Sequence, residues 1–116
     1  KAVVDETCRS YGWSTTEWHD IVRRDAIPLL ATPASALRHA AALPGAAARV
    51  VDVAFEGLDR AQLVAWRLGM AHLAPFIAAL PPAERTALAN EALGRLPTDT
   101  PPLLRSIVVV TWAKPR

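Results

Sequence analysis

Cysteine is nearly absent. The 116 residues contain one, Cys8, which excludes an internal disulfide and fits a reducing compartment, so the expected location is cytoplasmic. Long apolar runs are missing as well. The longest uncharged apolar stretch, Leu68 to Ala83, holds His72, Pro75, Pro81 and Pro82 and is shorter than the roughly 18 residues a membrane span needs. No apolar signal segment opens the chain, since Lys1 to Tyr11 is polar, and no membrane partner is expected. Initial methionine is also missing, which points to an excised or processed piece. Glycine is sparse and scattered: Gly12, Gly45, Gly57, Gly69 and Gly94 never come close enough for a G-x-G or phosphate-cradling turn. His19, His39 and His72 have no second ligand at i+3 or i+4, so no local metal signature exists. There is no G-x-S-x-G elbow, and Cys8 has no identifiable base partner, which leaves nucleophilic catalysis without support. A basic patch is lacking too. The formal charge is +2 and the basic residues are spread along the chain, so nucleic acid is not expected as a partner.

What is present is a globular composition, 52% hydrophobic and 21% charged, in a length suited to one domain or part-domain. Its most informative feature is the run Ile107, Val108, Val109, Val110, Thr111, Trp112, apolar at odd and even positions alike. Such a strand is covered on both faces, as in the middle of a sheet with helices above and below. One other good strand, Arg49 to Phe55, alternates Val51, Val53 and Phe55 with Val50, Asp52 and Ala54. Two strands alone rarely make a stable sheet. The expected fold class is therefore an α+β fragment of a larger α/β protein, with the two strands paired antiparallel and part of the sheet supplied from elsewhere. Unpaired strands also imply self-association.

The helices divide the chain into an N-terminal segment 1–31, a helix and strand 32–57, a helical insertion 58–97, and a loop and terminal strand 98–116. Residues 1–12 are the least patterned. Ser14 and Glu17 read as a capping box for a helix with Trp18, Ile21 and Val22 on one face, ending before Pro28. Thr32-Pro33 reads as N-cap and N1 of a helix reaching Leu43. Asp59 caps a long helix, 59–79, with Leu63, Trp66, Met70, Leu73 and Ile77 on one stripe and Pro75 as a kink or stop. A final amphipathic helix spans 82–96.

The most distinctive chemistry is the group Trp66, Arg67, Met70, His72 and Phe76, aromatic, thioether and titratable side chains over about three turns. They read either as the wall of a pocket for a flat organic substrate, or as a core stripe of Trp66, Met70 and Leu73 with Arg67 and His72 solvated beside it. Trp13 and Trp18 carry the same two readings, and His19 and His72 are candidate proton acceptors. The substrate-pocket candidates are thus Trp13, Trp18, His19, Trp66, Met70 and His72.

The order of elements (helix Pro33 to Leu43, Pro-Gly turn, strand Arg49 to Phe55, helical insertion, terminal strand SIVVVTWAKP) resembles the last third of class I S-adenosylmethionine-dependent methyltransferases. The segment Leu63 to Phe76, with VAWRLGMAHLAPF at its centre, is similar to the insertion before the last strand in bacterial members related to the UbiE type. The resemblance spans roughly residues 28–115. It implies a Rossmann-like sheet whose final strand lies antiparallel between its two predecessors, with the insertion covering the substrate side. It also implies S-adenosylmethionine as cofactor of the parent protein only, because the family's glycine-rich loop and ribose-binding acid lie in its N-terminal half and have no match here. Alone, the segment would not be catalytic, and its partner would be the parent enzyme's small-molecule substrate. The alternative from the residues is a non-catalytic α+β module that binds a protein through the 49–55 edge, or a small ligand.

Overall fold

The fold is given by a computed structural model that describes residues 1–114; Pro115 and Arg116, the end of the segment 98–116, lie outside the described residues. In chain order the elements are α1 (Ala2–Ser10), α2 (Glu17–Ile21), a π-helical turn (Val22–Ala26), α3 (Ile27–Leu30), α4 (Pro33–His39), β1 (Ala47–Phe55), α5 (Arg60–Leu68), α6 (Ala74–Ala79), α7 (Pro82–Arg95) and β2 (Leu103–Thr111). This is a small α+β arrangement of helices with one two-stranded antiparallel sheet. The described residues fall into two compact units interleaved along the chain. The first comprises Lys1–Thr16 and Phe55–Leu103, and the second Glu17–Ala54 and the residues from Leu104 onward.

The first unit is helical and owns a hydrophobic core. Val4 and Cys8 of α1, Trp13, Val64 and Leu68 of α5, Leu73, and Leu88 and Ala92 of α7 are buried together. The segment 1–12, unpatterned in the sequence, is helical. Its inward seam is only Val4, Thr7 and Cys8, at i, i+3, i+4, and Thr7 is polar. The Thr7 hydroxyl can sit there because it donates to the Val3 carbonyl at 2.9 Å and accepts from Arg95 Nη1 at 2.9 Å.

The expected helix 59–79 is two helices. Asp59 caps α5 as the sequence indicates: Gln62 N–H donates to Asp59 Oδ1 at 2.8 Å, and Asp59 N–H donates to Gln62 Oε1 at 2.9 Å. Gly69 then closes α5, and the chain turns through residues 70–73 before α6 opens with Pro75 in its first turn. Pro75 therefore starts a helix, where its missing N–H costs nothing, and does not kink one. α7 follows, and Arg60 Nη1 donates to the Leu96 carbonyl just past its end at 2.9 Å.

The second unit has little core. Thr32 caps α4, accepting from Ser35 N–H at 3.1 Å while its own N–H donates to the Ser35 hydroxyl at 3.2 Å. Upstream, two expectations are corrected. α2 opens at Glu17, which makes Glu17 the first helical residue and leaves Ser14 outside the cap position. The helix also does not stop before Pro28. The π-helical turn intervenes, Ile27 N–H donating to the Val22 carbonyl, and α3 resumes with Pro28 in its first turn. Every residue from Ile21 to Thr32 is exposed. Among the described residues of this unit only Ser35 and Ala36 are buried.

Two contacts join β1 and its approach to β2 and its exit. Ser106 hydroxyl bonds to Asp52 Oδ1, and Ala113 N–H donates to the Pro44 carbonyl at 2.9 Å. Later residues of one strand thus meet earlier ones of the other. Gly45, at φ +63°, makes the turn into β1 beside Ala113. The expectation that the terminal strand is covered on both faces is not met by this chain alone. No residue of β1 or β2 is fully buried, and Ile107 is 47% exposed. Two strands offer each face too little neighbouring surface to dry it.

Candidate functional site

The six pocket candidates from the sequence divide between the two units. Trp13, Trp66, Met70 and His72 belong to the first, Trp18 and His19 to the second.

In the first unit Trp13 and His72 are core residues, 6% and 7% exposed. The Trp13 Nε1–H donates to the His72 carbonyl at 3.2 Å, and the two rings meet at 6.0 Å between centroids with a 58° tilt. The Arg9 guanidinium lies over the Trp13 ring at 5.6 Å. His72 is thus buried beside Trp13. Trp66 and Met70 are half-buried and remain the aromatic and thioether groups of the insertion with surface to offer.

Beside them sits an ion pair that sequence reasoning missed. Arg67 Nε donates to Asp5 Oδ1 at 2.8 Å and Nη2 to Oδ2 at 2.6 Å, a two-pronged bond joining α5 to α1. Burial pushes the Asp5 carboxyl up. The Arg67 hydrogen bonds and charge, with smaller contributions from His72 and Arg9, outweigh it and hold Asp5 below its ordinary value. Cys8 lies in the same region and moves the other way. Burial first, then the Asp5 charge, push the thiol up to about 11, so at neutral pH it is protonated and a poor nucleophile. Asp5 was hidden because its segment showed no helical pattern, and its partner lies 62 residues away.

In the second unit Trp18 is 48% exposed and packs edge-on against His19, 5.6 Å between centroids. Around it, Ile21, Val22, Ile27, Leu29 and Leu30 are also exposed. The sheet adds more apolar surface: Val50 and Leu104 are two residues along their strands from Asp52 and Ser106 and on the same face, Trp112 just past β2 is exposed too, and Leu104 is 61% exposed.

The strand-to-helix turn from β1 to α5 carries the single glycine Gly57, and the Asp59 side chain already accepts from one free N–H of the first turn of α5, that of Gln62. Among the described residues no group of three or more His, Cys, Asp or Glu side chains could hold a metal ion. No described helix is long and apolar enough to cross a membrane. No protein family, curated protein or solved structure matches the chain.

Proposed function

We propose that this chain is the substrate-side C-terminal segment of an S-adenosylmethionine-dependent methyltransferase acting on a small molecule. The observation that supports the reading is the β1–β2 pair. The strands run antiparallel, residues 56–102 join them in place of a tight turn, and the second is apolar on both faces with no further strand beside it among the described residues. A terminal strand that sits between two others in a larger, helix-covered sheet has this composition and this need. On this reading the open edge of β2 and the open sheet faces receive the N-terminal half of the enzyme, giving the Rossmann-like sheet. That half supplies the cofactor site, for which the present residues are not fitted.

The work left to this segment is to cover and orient. Trp66 and Met70, half-buried on the insertion, supply apolar wall against the methyl acceptor, and catalysis gains from holding the acceptor in line and excluding water. Trp13 and His72 support that wall from inside.

Calorimetry separates the parts. Residues 1–116 alone should show no saturable binding of S-adenosylmethionine. The polypeptide extended upstream of Lys1 should bind it at micromolar concentration and transfer its methyl group. If the extended polypeptide neither binds nor transfers, the reading fails and the interaction-module alternative takes its place.

A further inference from the structure

The helical unit has a groove that this reading leaves unused. It has a volume of about 520 Å³, within the range of small-molecule sites. Leu68 of α5, Ile77 of α6 and Ala89 of α7 make it apolar, while Arg85, Thr86 and Asn90 line it from α7 alone.

The polar side is unevenly satisfied. Thr86 hydroxyl donates to the Pro82 carbonyl at 3.1 Å, so its proton is already used. The Arg85 guanidinium and the Asn90 amide have no side-chain partner among the described residues. Arg85 is also the one charged residue lining the groove. An apolar trough edged by a single unpaired guanidinium favours an anion over a cation, and the planar fork of Arg matches a carboxylate with two parallel bonds. A partner helix fits less well. Its apolar face would cover the Asn90 amide and remove its water without replacing the lost hydrogen bonds.

We propose that this groove binds a small amphiphile bearing a carboxylate, its aliphatic body against Leu68, Ile77 and Ala89 and its carboxylate on Arg85. The site does not depend on methyl transfer, so either reading can fail without the other.

The test is a two-dimensional amide NMR titration of the 116-residue chain with octanoate and, separately, 1-octanol. Octanoate should give saturable shifts at the amides of residues 85–90, and 1-octanol should bind there about tenfold more weakly, as expected when a charge-assisted contact is lost. Arg85 is exposed, so Arg85→Gln keeps the fold. It should weaken octanoate about tenfold and leave 1-octanol unchanged. Absence of saturable shifts with millimolar octanoate, equal affinity for the alcohol, or no effect of Arg85→Gln would each overturn the proposal.

Discussion

Replacing Asp5 by Asn removes the charge that Arg67 is built to meet, while keeping the side chain's size. The pair is largely buried, with Arg67 13% and Asp5 17% exposed, and it makes two short bonds of 2.8 and 2.6 Å. A hydrogen bond to a charged group contributes about 1.5–3 kcal/mol, and breaking a fully buried pair costs about 3–5 kcal/mol. Water still reaches the rim of this one, so a loss of about 3 kcal/mol is expected for Asp5→Asn. In a unit of this size that lowers Tm by roughly 10–20 °C. The pH dependence follows from the depressed Asp5 value. Its contribution is complete above the unfolded carboxyl's ordinary value of 3.8 and is lost as pH falls through the lower folded value, because the unfolded chain takes up the proton first. The native protein and Asp5→Asn should therefore converge in stability in strong acid and diverge at neutral pH. Thermal melts across that range, with Asp5→Leu/Arg67→Met as a variant lacking an orphaned charge, make the assay. The double variant should regain most of the loss. Equal melting of the native protein and Asp5→Asn at pH 7 would refute the reasoning.

Leu73 is fully buried at the turn between α5 and α6, so Leu73→Ala should cost about 3–5 kcal/mol, read by urea unfolding. His72→Ala should also destabilise, because it removes a buried ring from beside Trp13; a melt shifted by several degrees is the expected sign. The Cys8 thiol, buried and raised to about 11, should resist a thiol reagent at pH 8 in the folded protein and react promptly in denaturant. The open edge and wet apolar faces of the sheet should drive self-association, visible as a concentration-dependent mass in light scattering; a stable monomer at high micromolar concentration would contradict it.

The sequence revealed most where local chemistry decides structure. Thr32 and Asp59 announced their caps, and the two strands were legible from Val-rich runs, since each signal is complete within a few residues. Pro75 and Pro28 were misread for one reason. Both were taken as breaks, whereas each lies in the first turn of the helix that follows, a role that depends on what Gly69 and the π-helical turn do just upstream. α1 was invisible because its seam is three residues long and one of them is Thr7. Trp13 could be named from the sequence as either core or pocket and His72 as pocket wall or solvated, and only the packing between distant segments shows both to be buried. Asp5–Arg67 shows the same limit: neither residue's neighbourhood hints at the other.

That β1 ends at Phe55 and its partner β2 begins at Leu103 has a consequence for how the chain can vary. Everything from residue 56 to 102 leaves at the end of one strand and returns at the start of its partner, so its length is decoupled from the Asp52–Ser106 and Pro44–Ala113 contacts. Closure entropy grows only logarithmically with the length of such an excursion, about 0.6 kcal/mol per doubling. The loops between its helices can accordingly be lengthened or trimmed without changing the strand contacts, while α5 and α7 must keep the surface that packs against α1.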